Sequence, residues 1–149
     1  GLSEFLFGSS RAALSLKVSK PLRELQHGLC FYCQDKLPTT ACVDHFIPWS
    51  RHPRDLAHNL VLAHGACNSR KSDLLGGEPY LERWVEFVSD HDSDLLQVGT
   101  EAGLLVDRAT SVAVAEWSYG HAERVNAEVW LGGKDYGHLS NSWRELLRQ

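Results

Sequence analysis

Two metal-type pairs, Cys30-Phe-Tyr-Cys33 and His64-Gly-Ala-Cys67, constrain this 149-residue chain more than any other feature. Donors of these types at these spacings suit a tetrahedral structural zinc ion. One ion would pin two loops that are far apart in sequence, and its binding energy would become folding energy. Cys30 to Cys33 should then form a tight knuckle, because two thiolates two residues apart grip one ion only if the backbone turns between them. Four protein ligands leave no open coordination position, so such a zinc would be structural. The four cysteines could instead make two disulfides in an oxidising compartment. Cys42 is the rival ligand to His64, against its simpler role as a small buried hydrophobe. The zinc reading with His64 as fourth ligand is preferred.

After the first pair, and including the second, comes Cys42 to Lys71, CVDHFIPWSRHPRDLAHNLVLAHGACNSRK. Asp44 and His45 begin a short apolar segment, and Pro48 forbids its continuation as a central strand. A first strand is expected over 41–47, followed by a loop over 49–58. Asn59 opens a second apolar run too short and too branched for a helix. Gly65 breaks it, and 66–75 reads as a helix. The local pattern is strand, loop, strand, helix: a hairpin with its helix folded back on it.

The sequence Asp-His-x-x-Pro, then Asn, then Cys-Asn-x-x-Lys resembles the HNH nuclease family, whose core is the ββα-metal finger. The residues carrying the resemblance are Asp44, His45, Pro48, Asn59, Cys67, Asn68 and Lys71. The steps of fourteen and nine residues from His45 to Asn59 to Asn68 are similar to those in the HNH domain of RNA-guided CRISPR nucleases. The resemblance runs from about Cys30 to Leu75, and the third motif position is Asn68 rather than His. It implies that His45 is the general base, that Asn59 orients it, and that Asp44 and Asn68 hold a catalytic Mg²⁺ or Mn²⁺. It also implies cleavage leaving 5′-phosphate and 3′-hydroxyl ends.

The chemistry is consistent with those roles. An Asp carboxylate and an Asn carbonyl are hard oxygen ligands suited to Mg²⁺ or Mn²⁺. A neutral imidazole can take a proton from water near pH 7. Lys71 and Arg70 would neutralise phosphate charge on the helix face. Arg51 and Arg54, with His52 and His58, are loop candidates for backbone phosphate contacts, or simply a solvated polar loop. Asp44 and His45 are adjacent and would face opposite sides of an ideal strand, so a bulge or the loop entry has to bring both to one site.

A net charge of -4 and a pI near 6.0 argue against a broadly basic nucleic-acid coat. The stretch 43–72 is locally basic, however, with four Arg or Lys against two Asp. The sequence contains no Met, so the chain is read as a fragment or processed product of a longer protein. No secretory signal and no apolar run of spanning length is visible, and a cytoplasmic location is expected. The leading expectation is a metal-dependent endonuclease acting on nucleic acid, DNA before RNA. The alternatives are a zinc-stabilised nucleic-acid-binding or scaffold module, and an effector domain active only within a larger defence or CRISPR-type assembly.

The expected fold class is α+β and mainly helical, a small ββα-metal finger flanked by helices. The units are 1–29 (arm and helix), 30–75 (nuclease core with zinc knuckle) and 78–149 (helical region). Leu2, Phe5, Leu6 and Phe7 suggest an arm that packs, or the stub of a preceding domain. Ser19-Lys20-Pro21 reads as a helix start, and Gly28 as its stop. Gly76-Gly77 reads as a linker, 79–89 as an amphipathic helix, 90–94 as a helix break, and 95–105 as a short helix or turn. The stretch 110–131 is the longest helical candidate, with Gly132-Gly133 ending it. Ser142 to Glu145 matches a capping box. Trp117, Tyr119, Trp130, Tyr136 and Trp143 are read as core.

Overall fold

The computed structural model describes residues 2–104 and 107–148, with side chains from Ala12 onward. The packing expected of Leu2, Phe5, Leu6 and Phe7 therefore lies outside the described side chains, as does Leu105.

The first helix, α1 (Leu2–Leu25), runs through Pro21 instead of starting there. Proline inside a helix costs about 3 kcal/mol. Leu14, Val18 and Leu22 lie on one face and are buried, each contributing roughly 1.5–3 kcal/mol, and that burial holds the helix across the proline. Beyond Leu25 the chain turns through His27 and Gly28, both at positive φ, and the Gly28 N–H closes on the Arg23 carbonyl at 2.9 Å.

The hairpin consists of β1 (Cys42–His45) and β2 (Leu60–Ala63), antiparallel with Asp44 opposite Val61 and His45 opposite Leu60. Asn59 belongs to a 3-10 turn, Ala57–Asn59, that precedes β2. Helix α2 (Gly65–Lys71) follows, shorter than expected because Ser72 adopts a positive φ of 53°. The remaining elements are α3 (Glu78–Asp90), α4 (Asp92–Ala102), α5 (Arg108–Arg124), β3 (Val129–Gly132), β4 (Asp135–Gly137) and α6 (Trp143–Leu147). The fold is α+β and mainly helical. Among the described residues no helix is long and apolar enough to cross a membrane.

Two readings of the C-terminal half are corrected. The 110–131 helix ends at Arg124, and Val129 to Gly132 is a strand of a second hairpin. Gly132-Gly133, at φ 108° and 52°, makes that hairpin's turn. Gly76 and Gly77 are buried rather than linker-like. Gly76 forms a parallel bridge with Trp130, and the Gly77 N–H and Leu75 carbonyl bond the Trp130 carbonyl and N–H at 2.9 Å each. A Cβ on Gly77 would sit 2.7 Å from Leu131 Cδ2.

The capping box is also absent, since Ser142 makes no side-chain cap bond. Tyr119, Trp130 and Trp143 are core, whereas Trp117 and Tyr136 are 58% and 42% exposed.

One apolar cluster runs through both halves. Trp84 of α3 stacks on Phe46 at 5.1 Å and donates its indole N–H to the His58 carbonyl at 2.9 Å. Arg83 donates to the Phe31 and Tyr32 carbonyls at 2.9 and 2.6 Å, closing the open side of the knuckle.

Candidate active site and metal centre

The donor atoms of Cys30, Cys33, His64 and Cys67 lie within 4.8 Å of one another. The knuckle is closed by the Cys30 N–H to the Asp35 carbonyl (2.9 Å) and the Gln34 N–H to the Cys30 carbonyl (3.0 Å). His64 places Nδ1 3.2 Å from Cys33 Sγ, and its Nε2 lies 2.9 Å from the Lys36 carbonyl. A carbonyl can only accept, so Nε2 carries the proton and Nδ1 offers its lone pair to the cluster. This outer contact is of the kind that orients metal-bound histidines.

The electrostatics of the thiols bear on what the cluster can hold. Burial, and then the nearby Cys30 and Cys33, push the Cys67 thiol up to about 12. Burial opposes ionisation of Cys30 too, but backbone hydrogen bonds at Cys33, His64 and Tyr32 outweigh it and hold that thiol below its ordinary value. Three sulfurs in this space cannot all be anionic unless a dication offsets them, and soft thiolates with one imidazole fit Zn²⁺. Cys42 stays outside the cluster.

A second site opens where β1 runs into its loop. Asp44, His45, Pro48, Trp49, Asn68 and Asp73 are among the residues lining a cavity of about 350 Å³. Asp44 and His45, although adjacent, both reach it.

Asp44 is 5% exposed. Its Oδ2 accepts the Tyr32 hydroxyl at 2.5 Å and lies 3.1 Å from Lys71 Nζ. Complete burial, and then the charge of Asp44, hold the Tyr32 phenol well above its ordinary pKa, so it remains a donor. Lys71 Nζ also donates to the His45 carbonyl at 3.1 Å.

His45 Nε2 lies 2.7 Å from Asp55 Oδ1, with its ring edge-on to Trp49 at 5.3 Å. Asn59 spans the loop: its Oδ1 accepts the Ile47 N–H at 2.7 Å and its Nδ2 donates to the Ile47 carbonyl at 2.9 Å. The amide thus continues the ladder one step past the strand end, while the Asn59 carbonyl takes the Phe46 N–H at 2.8 Å.

Several expected phosphate contacts are placed elsewhere. Lys71 is fully buried, so its ammonium serves Asp44 and the His45 carbonyl instead of solvent. His58 is also fully buried and pairs with Asp92 at 2.8 Å. His52 is half-buried, which depresses its pKa. Arg51 turns toward α5, with Nη1 3.3 Å from His121 Nδ1. Arg54 and Arg70 are exposed.

Nothing in the sequence pattern singles out Tyr32 or Asp55. Tyr32 is hidden between the knuckle cysteines, and Asp55 sits in a loop where it registered only as charge.

Lys71→Met should destabilise the fold by about 3–5 kcal/mol, the usual effect of leaving one member of a buried ion pair unpaired. Urea unfolding measures this, and an unchanged midpoint would show that the Asp44 contact contributes nothing.

The antiparallel pair, the helix behind it and the Cys₃His cluster together define a ββα-metal finger with a zinc-type site. Residues 30–74 match the family model described as HNH endonuclease, so the finger is similar to that family, and the match supports a nuclease-type function with a metal site. No curated protein and no solved structure matches the chain.

Proposed function

We propose that this chain is a metal-dependent endonuclease that hydrolyses phosphodiester bonds in nucleic acid, with DNA as the expected substrate. The observation that carries this reading is the convergence of Asp44, His45 and Asn68 on one cavity within the segment similar to HNH endonucleases. Both Asp44 contacts among the described residues fall on Oδ2, which leaves Oδ1 as a donor. Asn68 adds an amide carbonyl, and two hard oxygens of this kind suit Mg²⁺ or Mn²⁺. Bound there, such an ion would polarise the phosphate and offset charge that develops on its oxygens.

His45 performs the proton chemistry. Asp55 accepts from Nε2–H, so the neutral ring keeps its lone pair on Nδ1, which takes a proton from the attacking water. The water oxygen bonds to phosphorus as the bond to the 3′-oxygen breaks, and that oxygen takes a proton from solvent water, giving 5′-phosphate and 3′-hydroxyl ends. Asn59 fixes the loop that follows His45, and Lys71 positions Asp44. The zinc-type cluster ties the knuckle bearing Tyr32 to the start of α2, which carries Asn68. Residues 30–75 form the nuclease core in this reading, and the flanking helices support it.

The test is cleavage of supercoiled plasmid, and of RNA in parallel, with EDTA, Mg²⁺ or Mn²⁺. Nicking or linearisation that needs added metal is expected. A folded, zinc-loaded protein inert on both polymers would favour the binding module or the dependent effector. Asp55→Asn should lower kcat by about 10²- to 10⁴-fold with little change in KM, because the amide no longer enforces the reactive tautomer. Single-turnover kinetics would show it.

A further inference from the structure

The sequence places Trp117 in the core, but the residue is 58% exposed. Its neighbours Ser118 and Tyr119 are fully buried, so α5 turns this indole outward while packing the residues beside it. The ring is not loose. It stacks on His121 one turn later, with centroids 5.4 Å apart and planes 5° from parallel. Arg51 locks His121 in turn, donating from Nη1 to Nδ1 at 3.3 Å and reaching the Ser118 carbonyl at 3.5 Å.

Arg51 connects this pair to the catalytic cavity. Its N–H closes a turn on the Pro48 carbonyl at 2.9 Å, and Pro48, Trp49 and Ser50 line the cavity. Its guanidinium also interacts with the charge of Asp73 on the cavity wall. A continuous path therefore leads from the cavity through Arg51 and His121 to an exposed residue whose indole is oriented by stacking.

We propose that Trp117 is a stacking platform for an unpaired base of a single nucleic-acid strand whose backbone passes Arg51 into the cavity. This rests on the nuclease reading for its direction. An aromatic face accepts any base and needs no hydrogen-bond readout. A chain of net charge -4 cannot hold a strand by a field of cations, so stacking beside one or two arginines is the mode its surface supports. Paired bases are already stacked within the duplex and do not offer their faces, which is why the occupant is single-stranded.

The test compares wild type, Trp117→Ala and Trp117→Phe for binding of fluorescein-labelled 12-mer single strands of DNA and of RNA, and of duplex DNA, without added Mg²⁺. In parallel, metal-dependent hydrolysis of bis(p-nitrophenyl) phosphate, which carries no base, reads the catalytic cavity alone. Trp117→Ala should weaken single-strand binding about 5- to 150-fold. Trp117→Phe should recover most of the loss, and duplex affinity should hardly change. Hydrolysis of the small diester should be equal in all three. Unchanged single-strand affinity in Trp117→Ala, with the diester still cleaved, overturns the platform. If no diester is cleaved by wild type but the affinity loss appears, the nuclease reading fails and the platform stands.

Discussion

Replacing His45 with Ala should leave a folded, zinc-loaded protein that cleaves nucleic acid about 10²- to 10⁴-fold more slowly, the range typical of a lost general base. Among the described residues that line the cavity no other is an imidazole, so none of them replaces it. The fold should tolerate the change because the partner, Asp55, is partly exposed, with 30% of its side chain reaching solvent. Its charge can therefore be hydrated once the imidazole is gone. The measurement is single-turnover cleavage of plasmid at saturating metal, alongside a melting curve and zinc content for both proteins. A mutant within a few-fold of wild type would remove His45 from the chemistry. A mutant that melts far earlier would call for His45→Asn before any conclusion.

The largest effect on stability should come from the four-ligand cluster. Cys30→Ser removes a donor with no exposure to solvent and leaves the knuckle and the start of α2 without a common ligand. In small zinc fingers the ion supplies about 10–16 kcal/mol of apparent folding energy. This chain has an apolar core besides, so a loss of about 5 kcal/mol or more is expected, which lowers Tm by roughly 15 °C at about 3 °C per kcal/mol. A strong chelator should reproduce the shift in wild type. Leaving Mg²⁺ and Mn²⁺ out of the buffer of the zinc-loaded protein should abolish cleavage while leaving Tm in place, which separates the two metals. A melting curve indifferent to Cys30→Ser would mean the cluster does not support the fold.

The parts of the molecule legible in the sequence are those specified by short-range spacing. Cys30 and Cys33, and His64 and Cys67, are each separated by two residues, and the Asp44, His45, Asn59, Asn68 series lies within one hairpin and its helix. What was not legible depends on packing between distant segments. Lys71 reads as a surface cation until Asp44 and the His45 carbonyl are seen to enclose its ammonium. Pro21 reads as a helix start because the buried face of Leu14, Val18 and Leu22 that carries the helix through it depends on the hairpin opposite. Val129 and Trp130 fall at the end of the helix expected over 110–131, and only their pairing with β4, and that of Trp130 with Gly76, makes them a strand. Asp55 became visible only once the loop brought it to His45 Nε2.

The seam at Gly76 and Gly77 has a practical consequence. Trp130 is hydrogen-bonded on both sides of its peptide to this seam, and its ring meets Tyr32, the hydroxyl donor to Asp44. Trp84 meets Phe46, one residue past His45. A finger cut out at residue 75 would lose the rings that pack on Tyr32 and Phe46, along with the main-chain partner of Leu75. The finger is therefore not a cassette to be transplanted between hosts. Swapping experiments should carry α3 and the second hairpin with it, as a keystone travels with the stones that bear on it.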